Sequence, residues 1–257
     1  TEAHQSKEVI LLPSMGAITD ILASLLHSEG IYAETLPKPT NDSLRFGRQY
    51  TSGKECIPMT ITAGSLLERL SRENDSDKRF AFFMPTSHGP CRFGVYNVLH
   101  KIILEKTNWG DRVRIVAPND QDYFAGMSPD FRVRAIAGYA ASDLLMAALH
   151  DVRPCEREQG ISQQIYDRYF NELIELLSSS AASSLLSALG ELPNGMFGIS
   201  ALMSRAANDF RLAKDFSKRV PTVSMVGEIY VRLEPYANNF IVKKLEERGL
   251  RVILAPF

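Results

Sequence analysis

The chain has 257 residues, of which 45% are hydrophobic and 23% are charged, and its formal net charge is −1. This is the composition of an ordinary globular protein, and it excludes intrinsic disorder, collagen-like repeats and a coiled coil as the overall class. The basic excess of a dedicated nucleic-acid-binding protein is not present. No apolar run approaches the ~20 residues that a membrane span needs. We therefore expect neither a nucleic-acid partner nor a membrane partner.

The sequence begins at Thr1 without a signal segment and stops directly after an apolar run at residues 252–254. We interpret it as a piece of a longer protein. Its three cysteines are an odd number in a chain too large to need disulfide bonds for stability. This cysteine content favours a reducing, cytoplasmic location.

Strand and helix patterns alternate through the first half of the chain. An apolar run at residues 9–12 indicates a buried strand, residues 17–28 have apolar residues at helical spacing, and residues 31–36 alternate as a strand does. The pattern continues with strands predicted at 79–84 and 113–117 and helices at 59–70 and 96–105. This alternation predicts an α/β fold, with a parallel sheet and flanking helices.

The strand pattern fades in the middle of the chain and returns near its end. Helices are predicted over residues 133–150, 162–178, 181–189 and 199–214. A strand at 222–226, a helix at 240–248 and a strand at 251–254 then begin a second βαβ unit. The sequence therefore predicts a two-lobed protein, with a first α/β lobe over residues 1–130, a helical segment over 131–219, and the start of a second α/β lobe over 220–257.

Ligands of open α/β sheets bind beyond the carboxyl ends of the strands. We expect residues 13–16, 85–94 and 117–120 to share that edge of the first lobe.

A polar, glycine-containing loop at residues 47–58 leads into the helix predicted from residue 59. Pro58 lies in the first turn, where a missing N–H is tolerated, so Cys56 lies at the helix N-terminus. Free N–H groups and the helix dipole favour a thiolate there, and Lys54 adds positive charge. The alternative is a buried cysteine at a helix end, since cysteine is among the most buried residue types.

A second cysteine loop, at residues 84–94, follows the strongest predicted strand and precedes a helix. Gly89 and Pro90 precede Cys91, and Arg92 follows it, which indicates a shaped loop. In an Fe–S site thiolates hold the iron and backbone amides approach the sulfurs, which glycine permits. The alternative is a tight turn with an incidental cysteine.

The two cysteines are far apart in sequence, but each begins a helix in successive βα units, so folding would bring them together. Two thiolates do not fill a tetrahedral site, and further ligands would come from Cys155, from a second copy of the chain, or from a missing part of the protein. Cys155 ends a predicted helix without a glycine loop, which favours a structural or incidental role.

The third segment is residues 226–232, at the end of a predicted strand. Glu228 and Arg232 would pair across the loop or line the cleft between the lobes. The alternative is a surface ion pair beside a helix cap formed by Asn238 or Asn239. The sequence has neither a phosphate-binding P-loop nor a G-x-S-x-G motif, which disfavours a nucleoside triphosphatase and a serine hydrolase.

Taken together, residues 47–58, 83–96 and 226–232 resemble the activase-related proteins of the 2-hydroxyacyl-CoA dehydratase system. These are relatives of the dehydratase subunits and benzoyl-CoA reductase subunits that carry Fe–S clusters. The resemblance extends from about residue 9 to residue 257. Where such proteins have Arg-Pro-Tyr-Glu, this chain has Arg153-Pro154-Cys155-Glu156, which indicates that Cys155 is a substitution and not a ligand.

The resemblance implies α/β lobes with a cysteine-ligated cluster between them, of the [4Fe–4S] type. An ATP-driven activase would supply low-potential electrons, either to remove water from a 2-hydroxyacyl-CoA through a ketyl radical or to reduce a CoA thioester. The implied partners are this activase or a partner half of the same protein, a CoA thioester, and a second copy of the chain. The alternatives are a non-catalytic binding or scaffold module with structural cysteines, and an enzyme that uses the sheet edge without metal.

The resemblance also assigns roles to individual residues. Cys56 and Cys91 correspond to the family's cysteines and are the candidate iron ligands. The residues that would shape the cluster pocket are Lys54, Gly89, Pro90 and Arg92 from the first lobe and Glu228 and Arg232 from the second.

Overall fold

The structure is a computed structural model that describes residues 8–119, 123–124, 126–179, 190 and 195–255. Its contacts divide the chain into two compact units. The first unit comprises Thr1–Met15 and Gly30–Gly126, and the second comprises Gly16–Glu29 and Met127–Phe257.

The strands of the described residues are β1 (Glu8–Leu12), β2 (Ala33–Thr35), β3 (Arg79–Phe83), β4 (Val113–Val116), β5 (Thr222–Met225) and β6 (Arg251–Leu254). The helices are α1 (Ala17–Ser28), α2 (Asn41–Arg48), α3 (Ile57–Ser71), α4 (Tyr96–Lys106), α5 (Pro129–Val152), α6 (Ile161–Ser179), α7 (Ile199–Ala213), α8 (Ile229–Leu233) and α9 (Ile241–Glu246). The helix predicted at residues 181–189 lies outside the described residues.

The first unit is built on a parallel sheet with strand order β2-β1-β3-β4. In its register Ile10 of β1 lies opposite Ala33 of β2 and Ala81 of β3, and Phe82 of β3 lies opposite Ile115 of β4. The apolar runs at β1 and β3 are buried, as parallel strands covered by helices require. The predicted α/β class with a parallel sheet is confirmed.

Helix α2 was not predicted from the sequence, because its composition is polar. It is stabilised by a cap at its N-terminus and by a close contact with α3. Its N-terminus is a capping box, in which Thr40 Oγ1 accepts from the Ser43 N–H and Ser43 Oγ accepts from the Thr40 N–H. A Cβ on Gly47 would lie 1.9 Å from the Thr60 carbonyl oxygen, and one on Gly64 would lie 1.7 Å from the Ser43 carbonyl oxygen. The two glycines therefore allow the backbones of α2 and α3 to touch.

The core of the first unit joins the buried residues of α3 and α4 to the sheet side chains. Its buried members include Leu11, Phe80 and Phe82 from the sheet and Met59 from α3, with Cys56 packed against them as a partly buried residue. The start of α3 is therefore anchored by the core of this unit.

The second unit is mainly helical. Helix α5 packs against α1, α6 and α7, and a Cβ on Gly138 of α5 would lie 2.8 Å from Leu177 of α6 and 3.1 Å from Ile21 of α1. Helix α1 thus belongs to the helical unit, although the sequence-based division placed it in a first lobe over residues 1–130. Its apolar residues are equally suited to a sheet or to other helices, and only the tertiary contacts distinguish the two.

Strands β5 and β6 form a parallel pair in the second unit, with Val223 opposite Val252. Helices α8 and α9 connect them, which agrees with the second βαβ unit expected near residue 221. Helix α9 is shorter than predicted and follows Phe240, whose φ of 55° is left-handed. Among the described residues, none of the helices has the combined length and apolar character that crossing a bilayer requires.

Candidate functional site

The carboxyl ends of β3 and β4 continue side by side beyond the sheet. The Met84 N–H donates to the Val116 carbonyl and the Thr86 N–H donates to the Pro118 carbonyl, each at 2.9 Å. The cysteine loop after β3 therefore starts at the ligand-binding edge predicted from the sequence. The last residue of the predicted segment 117–120 lies outside the described residues.

The Cys91 loop is closed at its base. The Thr86 hydroxyl donates to the Gly94 carbonyl at 2.9 Å, and a Cβ on Gly94 would lie 2.6 Å from the Ser87 carbonyl oxygen. Gly89, at the tip, has a φ of 118°, which side-chain-bearing residues rarely adopt. Cys91 is exposed and directly precedes a short 3₁₀ turn, Arg92–Val95, that leads into α4. The loop is therefore a shaped surface loop, as its glycines and prolines predicted.

Cys56 is the N-cap residue of α3 and is partly buried. The turn before it is held by the Glu55 carboxylate, which accepts hydrogen bonds from the Ser52 N–H and hydroxyl and from the Lys54 N–H, at 3.0–3.1 Å. These bonds, above all the one from the Ser52 N–H, lower the pKa of Glu55. The backbone around Lys54 and Cys56 is thus ordered by its own side chains.

The two cysteine segments are joined directly. The Arg92 guanidinium donates to the Lys54 carbonyl at 2.9 Å, one residue after Cys91 and two residues before Cys56. The structure therefore brings the two cysteine segments into contact at residues 54 and 92.

A cavity of about 150 Å³ lies between these segments. Cys56 and Met59 line it from α3, Tyr96 and Leu99 line it from α4, and Lys54 and Arg92 lie at its polar side. Glu55 also lines it, so the site combines one thiol, apolar walls, two cationic residues and one acidic residue.

A buried histidine of the first unit was assigned no role from the sequence. His100 of α4 has its Nδ1 2.6 Å from the Tyr96 carbonyl oxygen and its Nε2 3.2 Å from Thr62 Oγ1 of α3. The short contact to a carbonyl requires a proton on Nδ1, and the Thr62 hydroxyl that faces Nε2 also lies 2.9 Å from the Pro58 carbonyl oxygen. Burial lowers the pKa of His100 to about 4, so the ring is neutral at pH 7 and joins α3 to α4. Its only sequence signal was the four-residue spacing from Tyr96.

In the part of the chain that the structure describes, no group of three or more Cys, His, Asp or Glu side chains is arranged to hold a metal ion. The third cysteine, Cys155, is fully buried in the second unit, where its thiol donates to the Asp151 carbonyl. Of the two candidate ligands, Cys56 lines the cavity, whereas Cys91 is exposed in the adjoining loop and is not among the lining residues.

Glu228 has a structural role that the sequence analysis did not assign to it. Its carboxylate caps α8, accepting from the Tyr230 N–H at 3.1 Å and the Val231 N–H at 2.8 Å. Asn238 also has a capping contact, since its Oδ1 accepts from the Ile241 N–H at the start of α9.

The Arg-Pro-Cys-Glu segment, residues 153–156, binds two helices of the second unit through its charged side chains. Arg153 binds both carboxylate oxygens of Glu246 on α9, at 2.7 and 3.0 Å. Glu156 accepts from the Gly160 and Ser162 N–H groups at the start of α6. These roles agree with a structural Cys155.

Comparisons with protein-family models, with curated proteins and with solved structures give no match for this chain. The resemblance to the activase-related proteins therefore depends on the three sequence motifs.

Proposed function

We propose that this chain binds an Fe–S cluster through Cys56 and Cys91 and relays low-potential electrons in a 2-hydroxyacyl-CoA dehydratase or related CoA-thioester reductase system. The observation that carries the proposal is the hydrogen bond from Arg92 to the Lys54 carbonyl, which joins the cysteine loop after β3 to the cysteine segment before α3. An ATP-dependent activase or a partner half of the protein would donate the electrons, and a CoA thioester would accept them. We propose a cytoplasmic location.

Both thiols are at the starts of helical segments. Cys56 is the N-cap residue of α3 and Cys91 is the N-cap residue of the short 3₁₀ turn before α4, and neither thiol makes a capping hydrogen bond to the backbone. A [4Fe–4S] cluster carries net negative charge with its thiolates, and N–H groups near its sulfurs stabilise that charge. This arrangement supports the ligand assignment for both residues.

The other residues of the site would hold and shield the bound group. Lys54 and Arg92 would offset its negative charge, and Met59, Tyr96 and Leu99 would exclude water from the side that faces the core. When bound, the cluster supplies one-electron transfer at a potential that depends on charge, hydrogen bonding and solvent exposure. Gly89 and Pro90 would shape the loop on the solvent side.

The alternative is a non-catalytic binding or scaffold module with inert cysteines. That interpretation needs buried thiols with a packing role, which is what Cys155 has. Cys91, by contrast, is exposed and contributes no core packing. The exposure of Cys91 therefore favours the metal-binding proposal, whereas Cys56, which packs against the core, fits both interpretations.

The test is iron and sulfide analysis of the chain purified without oxygen. Cys56→Ala and Cys91→Ala should each lose most of the iron and the broad visible absorbance of the cluster. Cys155→Ser is the matched control, since its hydroxyl can still donate to the Asp151 carbonyl, and it should retain the iron. Unchanged iron in both alanine variants, or no iron in the unaltered protein after reconstitution with ferrous iron and sulfide, would refute the proposal.

A further inference from the structure

The chain passes from one compact unit to the other at three points, and a glycine stands at each of them. These glycines, which we call the crossing glycines, are Gly16, Gly30 and Gly126. Their φ angles are 63°, 74° and 82°, in the left-handed region that glycine enters far more readily than other residues. The backbone therefore has unusual conformational freedom at every connection between the units.

Close packing does not account for the crossing glycines. A Cβ on Gly30 or on Gly126 would meet nothing within 4 Å, and one on Gly16 would lie 3.4 Å from the Leu233 carbonyl oxygen, which is an ordinary contact. Gly30 follows the end of α1, where glycine is a common C-terminal cap. Gly126 lies two residues before Ser128, the N-cap of α5, and is therefore outside the helix.

Helix α1 lies between the first two crossings. It has 12 residues and is therefore about 18 Å long, with Gly16 at its start and Gly30 just beyond its end. The helix is fixed in the second unit, since Ile21 is fully buried and the Ser24 hydroxyl donates to the Ile174 carbonyl of α6 at 2.8 Å. Two separated pivots define one axis of rotation, and here that axis runs along α1.

The third crossing lies beside the second. The Ser128 hydroxyl is 2.7 Å from Glu29 Oε1, and the fully buried Arg134 donates to the same oxygen at 3.0 Å. Glu29 directly precedes Gly30, and Ser128 follows Gly126 by two residues, so these contacts hold the two crossings next to each other. A connection close to an axis moves little during rotation, so the third crossing does not prevent it.

We propose that the crossing glycines form a hinge, about which the first unit rotates as one body relative to the second around an axis along α1. Hinges consist of a few residues in loops or at the ends of helices and strands that absorb the change in φ and ψ. Both cysteine segments, residues 47–58 and 84–94, belong to the first unit and move together with it. The inference rests on the connections between the units and is independent of the proposed function.

The first measurement uses the unaltered full chain. Residual dipolar couplings of the backbone amides, measured by NMR in a weakly aligning medium, report the orientation of each unit and average over the microseconds to milliseconds in which hinges move. The couplings of each unit should fit a single alignment, and the two alignments should differ in magnitude, because the rotation averages one unit more than the other. One common alignment for both units would overturn the inference.

The second measurement compares glycines that differ in their place in the chain. Gly30→Ala and Gly126→Ala restrict the backbone at two crossings. The matched control is Gly160→Ala, because Gly160 lies within the second unit, has a φ of 87° and would also have nothing within 4 Å of an added Cβ. Alanine is strained at positive φ, so all three variants should lose stability to a similar extent.

Only the two crossing variants should change the difference in alignment between the units. The couplings within each unit would confirm that the variants are folded. Equal changes in all three variants, or no change in either crossing variant, would overturn the hinge. The measurement on the unaltered chain decides the inference even if a variant does not fold.

Discussion

The Arg92 guanidinium and the Lys54 carbonyl oxygen are 2.9 Å apart, and this hydrogen bond connects two segments that are far apart in sequence. It joins Lys54, in the first cysteine segment (residues 47–58), to Arg92, the residue after Cys91. The bond is on the protein surface, so its contribution to global stability is small, and its effect is local to the two cysteine segments.

Arg92→Ala should loosen the candidate site without unfolding the protein. We expect the free energy of unfolding to change by about 0.5 kcal/mol or less, because the side chain is exposed. Loss of iron to a chelator should become several-fold faster, since the loop and the start of α3 lose their connection. Arg45→Ala on α2, another exposed arginine, is the control. Equal rates of iron loss in the two variants would contradict the positioning role of Arg92.

Gly64→Ala should destabilise the first unit. Its Cβ would lie 1.7 Å from the Ser43 carbonyl oxygen and 2.7 Å from the Gly47 nitrogen, and backbone atoms cannot move aside as a flexible side chain can. We expect a loss of about 2 kcal/mol in the free energy of unfolding, measured by urea denaturation. Gly110→Ala is the control, because its nearest neighbour would be the Glu105 side chain at an ordinary 3.4 Å. If both variants were equally stable, the close crossing of α2 and α3 would be wrong.

The stability of the first unit should decrease as the pH falls from about 6.5 to about 4, because burial lowers the pKa of His100 from 6.5 to about 4. Above this range the ring is neutral in both states. Within it the unfolded chain binds a proton that the folded protein does not, so the free energy of unfolding falls by about 3 kcal/mol. The chain's single tryptophan, Trp109, packs against the core of this unit, and its fluorescence would report the unfolding.

His100→Gln should remove this part of the pH dependence. Glutamine can donate to the Tyr96 carbonyl but does not titrate in this range. His150 has its pKa lowered to about 4 as well, by burial and by Arg153, so His150→Gln serves as the control for the second unit. A pH profile of Trp109 fluorescence that is identical in the unaltered protein and the His100→Gln variant would contradict the prediction.

Arg134→Met should strongly destabilise the second unit. The guanidinium is fully buried and binds Asp130 and Glu29 at 3.0 Å, the Ser28 hydroxyl at 2.7 Å and the Leu177 carbonyl at 3.1 Å. Its removal leaves the Asp130 carboxylate buried without its cation, at a cost of about 3–5 kcal/mol. Adding Asp130→Asn should recover part of this loss in thermal unfolding, and no recovery would indicate that packing, not charge, dominates. Arg211→Met, on the exposed face of α7, should have little effect.

Local sequence patterns were sufficient to predict those elements whose structure depends mainly on their own residues. The apolar runs of β1 and β3 predicted buried strands, and glycine and proline around Cys91 predicted a shaped loop. Helix α2 was not found in this way, because only eight residues carry it and its polar composition has no strong period. Its Thr40 capping box was a usable local signal, but the contact with α3 through Gly47 and Gly64 joins residues distant in sequence.

The amino-acid sequence by itself determined the α/β class, the approximate strand positions and the two cysteines that begin helical segments. These depend on periodicity, helix ends and turn residues, which act over a few neighbouring positions. The tertiary structure alone decided that α1 belongs with the helical unit and that Arg92 joins the two cysteine segments. It also decided that Cys155 is fully buried in the second unit. Such outcomes depend on which distant groups compete for the same partner and the same space, and this competition is settled only when the chain has packed.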